Sequence, residues 1–412
     1  MAKTVAYLMG TALVAAMASP ALAVPTGPTA IGDGVTLDPM LDARIRYEHV
    51  DQPTLDGDAV TIRVRPGVEL AFKDGLSLLV EGEATLAVID NYDAFPFAIV
   101  SSQDRPGHSV IADPNNIELN RAQLQYKKGK NILTLGRQRI NLDDQRWVGA
   151  VGWRQNEQTF DAARLQLNPI GPLMVDVTYA LSQRTIFGGD AGIRTAYDGD
   201  FLIASMGAKF GPVDVKGFAY LLDFDAGEPV ASTKTLGVLA SGKVPLAKGF
   251  DVSFKASYAT QSDYGSNPAD FSVDYLAGEL GGTYKGFGLL AGYEQLGADG
   301  LGNRVQTPMA TLHKFNGTAD LFLSTPAAGL QDIYGTASYV IGNLGALKGI
   351  AASVTYHQYD SDVGNVDFGS EWDAQLGFKL SDIAVLLKYA NYKADGFGAD
   401  TEKFWFELGY SF

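Results

Sequence analysis

The chain has 412 residues and a formal net charge of −15, from 32 Lys and Arg against 47 Asp and Glu, with 47 Gly, 19 Tyr, 21 Phe and no Cys. So acidic a balance argues against nucleic-acid binding, which needs a basic footprint. The missing cysteines exclude disulfides, thiolate metal sites and cysteine nucleophiles, and the four histidines, His49, His108, His313 and His357, leave little for a metal cluster, so no metal or cofactor is expected.

Residues 1–23 read as a secretory signal. Lys3 precedes an uncharged run from Thr4 to Met17, and Ser19-Pro20-Ala21-Leu22-Ala23 places cleavage after Ala23. The apolar run is short of the ~20 residues a membrane helix needs. Residues 24–36 form a short periplasmic segment, too small for a plug domain. From residue 37 to 412 the sequence alternates with period two, the signal of strands. In 61–72, Ile62, Val64, Val68, Leu70 and Phe72 oppose Thr61, Arg63, Arg65 and Glu69. In 250–261, Phe250, Val252, Phe254, Ala256 and Tyr258 oppose Asp251, Ser253, Lys255 and Ser257. Eighteen strands are expected, beginning near 37, 61, 76, 117, 130, 159, 173, 201, 213, 234, 250, 273, 286, 331, 347, 370, 383 and 402. In 130–141, Leu133 and Leu135 share parity with Arg137 and Arg139, so a bulge is expected at Gly136.

The connections are more telling than the strands. Every second one is short, as in Lys73-Asp74-Gly75, Gly211-Pro212, Lys285-Gly286 and Ser381-Asp382. Among the others, 90–116, 142–158, 185–200, 265–272 and 298–330 are long. Short turns on one side and long loops on the other mark an all-β, antiparallel up-and-down barrel of the outer membrane. Tyr47, Phe72, Tyr126, Phe210, Tyr264, Tyr284 and Tyr392 near strand ends fit its aromatic girdles. A secreted sandwich or propeller explains neither the short–long alternation nor the girdles, and no repeat of fixed period supports a propeller.

In a membrane barrel the apolar face meets lipid, and an Arg there at mid-bilayer costs about 2–4 kcal/mol. Arg63 and Arg65 must therefore point inward, as must Asp42, Arg44, Arg46, Glu48 and Arg121. Of the 14 Arg, 11 fall between residues 44 and 164. Acidic residues gather instead in expected outer loops, Asp143 and Asp144 among them. A basic inner wall suits anionic solutes, because guanidinium grips carboxylate in a planar fork. The alternative is that Asp42, Glu48, Glu69, Glu81 and Glu83 neutralise these arginines and merely stiffen the barrel; both readings can hold together.

Residues 133–165, LTLGRQRINLDDQRWVGAVGWRQNEQTFDAARL, and 307–336, TPMATLHKFNGTADLFLSTPAAGLQDIYGT, resemble the alginate-export family. The resemblance implies an eighteen-stranded barrel with a positively charged conduit for a polyuronate chain. It adds Arg137, Arg139, Arg146, Arg154, Asp161 and Arg164 as conduit or loop-network candidates, and places His313, Lys314, Asn316 and Asp320 in the longest loop. The chain departs from the family's pattern at Thr318-Ala319-Asp320-Leu321-Phe322, where relatives often carry Trp-Ala-Asp-Lys-Phe, and few Arg follow residue 200. The pore-lining set is thus Arg44, Arg46, Arg63, Arg65, Arg121, Arg137, Arg139, Arg154, Asp161 and Arg164. The expected function is a passive outer-membrane channel for anionic saccharides or a polyuronate such as alginate. A general small-anion porin and a plugged, structural barrel are the alternatives. Enzyme chemistry is not expected, as no Gly-x-Ser-x-Gly elbow appears. Expected partners are outer-membrane lipid and lipopolysaccharide, an anionic oligo- or polysaccharide and periplasmic export proteins, with no nucleic acid.

Overall fold

A computed structural model describes residues 27–225 and 229–412. The export signal expected at 1–23 lies outside the described residues. The strands are β1 (Thr29–Gly32), β2 (Val35–Asp51), β3 (Gly57–Phe72), β4 (Leu76–Asn91), β5 (Asn116–Lys128), β6 (Asn131–Gln138), β7 (Thr159–Leu167), β8 (Leu173–Arg184), β9 (Ala196–Phe210) and β10 (Val213–Phe224). They continue as β11 (Thr233–Ala247), β12 (Phe250–Asp263), β13 (Ser272–Tyr284), β14 (Phe287–Leu296), β15 (Leu330–Leu344), β16 (Leu347–Asp360), β17 (Asp367–Leu380), β18 (Ile383–Ala394) and β19 (Thr401–Ser411). From β2 onward each strand pairs antiparallel with the next. β19 then pairs back onto β2, from Glu402 opposite Asp51 to Ser411 opposite Asp42.

Eighteen strands thus close a barrel, each starting within five residues of its expected place. The added strand, β1, pairs Thr29 with Leu37 and Ala30 with Thr36; four residues are too few to show a period. The two-residue turns at Gly211-Pro212, Lys285-Gly286 and Ser381-Asp382 lie on the periplasmic side with the chain's C-terminus. The long connections lie on the extracellular side.

The two faces sort as the membrane demands. Leu78, Val80, Leu86, Val238, Leu276 and Leu280 are exposed on the outer wall, while Arg46, Glu48 and Arg63 of neighbouring positions are buried inside. Phe72, Tyr126, Phe210, Tyr264 and Tyr284 are exposed girdle residues. Tyr47 and Tyr258 donate their hydroxyls to Asp58 and Asp274, at 2.9 and 2.8 Å, which sets the outer edge of the apolar band. Tyr392, expected in the girdle, does not join it. It is fully buried under the extracellular loops and donates to Phe397 O at 2.7 Å, because its parity is that of the inward face.

The bulge expected at Gly136 is absent. Both ladders run without a register shift through 132–138. Gly136 is instead required by its φ of +103°, with Ala122 O where a Cβ would sit. Arg137 consequently keeps the outward parity of the exposed Leu133 and Leu135 and pairs at 2.7 Å with Asp161, which shares parity with the exposed Leu165. These two candidates therefore do not line the lumen. The pair stands at the extracellular ends of β6 and β7, where a charge costs only about 0–1 kcal/mol.

Val64 lies between Val60, which faces Tyr47, and the girdle residue Phe72, so it sits near mid-bilayer. Val64→Arg is expected to lower unfolding stability in detergent by about 2–4 kcal/mol. Urea titration read by tryptophan fluorescence measures it; an unchanged midpoint would mean that this face does not meet lipid.

Candidate functional site

Two long connections turn into the barrel and join. Val148 bridges Met309, Gly149 N donates to Met309 O at 2.8 Å, and Thr311 N donates to Gln145 O at 3.1 Å. Apolar packing draws them in. The inward residues Phe201, Phe218, Tyr220, Leu222 and Tyr275 of β9, β10 and β13 form one core with Ile140, Leu142, Val148 and Met309. Trp147 meets the Tyr275 ring edge-on at 5.0 Å. Each large apolar side chain so buried contributes about 1.5–3 kcal/mol. On that side the lumen is filled.

On the β2–β4 side the same loop is held by charge. Arg44 Nη1 donates to Trp153 O at 2.8 Å and Nη2 to Gly152 O at 3.1 Å. Arg46 pairs with Glu407 at 2.7 Å and Asp113 at 3.4 Å. Arg65 pairs with Glu83 and Glu157 and donates to Gln155 O at 3.1 Å. From the loop, Arg154 reaches Glu48 at 3.2 Å, Asp320 at 2.9 Å and Asp113 at 3.8 Å. Burial alone would lower the Arg154 pKa, but these three carboxylates outweigh it and hold the guanidinium above its ordinary range. Gln155 Nε2 donates to Thr61 Oγ1 at 2.8 Å, and Thr85 Oγ1 to Asn156 Oδ1 at 2.7 Å. Val151 sits at φ +51°, a costly backbone for a β-branched residue, and its N–H is held by Thr311 Oγ1 at 3.1 Å.

Arg63 pairs with Asp42, Arg121 with Glu81 at 2.6 Å, Arg139 with Glu157, and Arg164 with Asp176 at 2.6 Å, all inside. Arg146 pairs with Glu294 at 2.9 Å. Asp143 and Asp144, expected in an outer loop, also lie inside, on Lys216 and Lys255. The inner arginines are thus paired with carboxylates, and Arg44, Arg46, Arg65 and Arg139 also grip the infolded loop.

Open space remains along β15–β18. A cavity of about 410 Å³ is bounded by Trp153, His313, Lys314, Tyr334, Thr336, Ser353, Thr355, Asp373, Gln375 and Lys388 among others. A second of about 410 Å³ lies toward the periplasm, bounded by Asp42, Arg44, Arg63, Lys379, Glu407 and Phe412 among others. Between them Lys388 pairs in register with Trp405, and Glu407 is two residues further along β19. Trp153 stacks on His313 with centroids 4.3 Å apart and rings within 3° of parallel, and meets Trp405 edge-on at 5.8 Å. Lys388 Nζ lies 4.2 Å from the Trp153 centroid and 5.3 Å from that of Trp405. It is 2.7 Å from His313 Nε2, while His313 Nδ1 is 2.7 Å from Asp320. An ammonium only donates, so Nε2 accepts, Nδ1 carries the hydrogen, and the imidazole is neutral. Burial, with Lys388 and Arg154 close by, accordingly holds the His313 pKa down at about 3 despite Asp320.

Asp113, Trp153, Lys388 and Trp405 escape the sequence reading. Lys388 does carry a signal, as the lone charge in the apolar run Ile383–Ala390.

The closed ring, the sorted faces and the infolded loop define a porin-like barrel of the outer membrane. Residues 36–180 match the alginate export family, a stretch running from β2 into β8 that supplies most of the arginine clamps and the constricting loop. Among solved structures the chain is similar to Pseudomonas aeruginosa OpdF in complex with glucuronate, with 16% identity and TM-score 0.70, over 91% of this chain and 97% of that one. Pseudomonas aeruginosa OpdL matches at 16% identity and TM-score 0.67, over 91% and 98%. Acinetobacter baumannii OccAB3 matches at 15% and 0.70, over 91% and 99%. No curated protein matches the sequence.

Proposed function

We propose that the protein is a passive channel for anionic saccharides, moving one uronate-like unit at a time past the Trp153–Lys388 narrows. The observation that carries this reading is the cavity beside the loop. Its hydroxyls (Thr336, Ser353, Thr355), its rings (Trp153, Tyr334) and its cations (Lys314, Lys388) suit a carboxylated sugar. Hydroxyls exchange hydrogen bonds with sugar hydroxyls, rings cover a sugar's apolar face, and lysine attracts the carboxylate. Conduction needs sites of this weak, repeated kind rather than one tight one. The alginate export match and the glucuronate held by OpdF support the same class of solute. Transport rather than catalysis also fits both comparisons. Outside, the apolar band would meet lipid and its outer rim lipopolysaccharide; direction of flow would follow the gradient or periplasmic partners.

Planar-bilayer recording across a KCl gradient tests this. The refolded protein is expected to conduct with anion preference and to be blocked by added oligogalacturonate. Cation preference, or indifference to the oligouronate, would sink the reading. A plugged barrel is favoured by the dense bonding of the two loops, and would show no conductance at all.

A further inference from the structure

We propose that Lys388, held between the faces of Trp153 and Trp405, is the residue that sets the channel's anion selectivity. The inference rests on the reading of the protein as an anion channel and assigns that property to one side chain. The arginines are the obvious candidates by number, yet each inner one faces a carboxylate. At the narrows Arg44, Arg46, Arg154 and Lys403 each pair with one or more of Glu48, Asp113, Asp320 and Glu407. Lys388 makes no ion pair; its contacts are two indole faces and the His313 Nε2 lone pair.

An aromatic face stabilises a cation through its quadrupole without cancelling its charge. A carboxylate in the same place would cancel it. The ammonium is therefore held in a nearly enclosed position by contacts that leave its field available to a passing solute. Its place adds to this. Lys388 bounds the upper cavity, and Glu407, two residues beyond its register partner Trp405, bounds the lower one with Arg44. Lys388 thus stands on the barrel wall between the two cavities. Asp373, which also bounds the upper cavity, makes no ion pair with Lys388; it stands 3.6 Å from His357 Nε2.

The test compares Lys388→Gln, Lys388→Glu and Lys388→Arg with Arg63→Gln/Arg65→Gln by reversal potential in a KCl gradient, with oligogalacturonate as the blocking probe. Heat-modifiable mobility in detergent confirms the closed barrel in each. Lys388→Gln is expected to abolish the anion preference and weaken block at least tenfold, Lys388→Glu to invert the preference, and Lys388→Arg to restore it. The arginine pair is expected to change conductance more than selectivity. An anion-selective wild type whose preference survives Lys388→Gln would overturn the assignment and leave the channel reading standing. A cation-selective wild type would overturn the channel reading itself, and this assignment with it. A widened pore in Lys388→Gln that keeps its anion preference counts against the assignment, since it would show a merely structural role.

Discussion

Replacing Arg154 by Ala is expected to turn a fixed constriction into a fluctuating one. Its guanidinium bonds Glu48 and Asp320 and approaches Asp113, all at buried positions. Asp320 would keep Lys403 and His313, and Asp113 would keep Arg46. Glu48 would be stranded, for Arg154 is its ion-pair partner and its side chain is out of solvent. Breaking a buried pair in this way costs about 3–5 kcal/mol. The loss falls on the loop, because the barrel's own ladders are untouched. Single-channel records are expected to show a larger mean conductance and new noise, while the heat-modifiable shift of the folded barrel persists. Adding Glu48→Gln, which removes the stranded charge, is expected to recover part of the quiet record. A quiet, unchanged conductance in Arg154→Ala would show that charge does not hold the loop.

Acid is expected to loosen the same loop from the other end. His313 must be neutral to accept from Lys388, and its pKa is held down at about 3, below the ordinary imidazole value of 6.5. A released loop would bind a proton that the docked loop refuses. Docking is therefore at full strength above about pH 6.5 and weakens as the pH falls toward 3, by roughly 1.4 kcal/mol for each unit. Asp320, held well below its ordinary value despite burial by His313, Lys403 and Arg154, adds its own loss only under stronger acid, below about 3.8. Conductance and noise are expected to rise between pH 6 and pH 4, and His313→Gln, which keeps an acceptor and cannot gain the charge, is expected to flatten that rise. A rise of equal size in the variant would place the sensor elsewhere.

The ring of strands was legible in the sequence because lipid imposes one rule on every outward position, and a period of two records it. The direction of Arg63 followed from that rule alone. Arg137, which the family resemblance offers as a conduit or loop-network residue, lies outside that rule, because a charge near the membrane edge is cheap and does not force a strand to turn. The inside of the barrel follows no such rule. Phe201, Phe218 and Tyr220 face inward as apolar residues, and only the folded loop explains them. A strand apolar on both faces, as in Phe201-Leu202-Ile203, was the available sign that something packs within. Partners such as Arg154 and Asp320, 166 residues apart, leave no local trace.

The seam between β2 and β19 carries a consequence for assembly. It joins residues some 361 positions apart, as Arg46 and Glu407 show. Contacts so distant form late, because the intervening chain must be ordered first. Until then both strands present open edges on which other chains can template. Yet Arg44 and Arg46 use the same guanidinium groups to grip Glu407 across the seam and the carbonyls of Gly152 and Trp153 in the loop. Ring closure and the setting of the bore are therefore one event. A half-assembled molecule has neither, so the cell's permeability barrier meets this protein only once its aperture is already fixed.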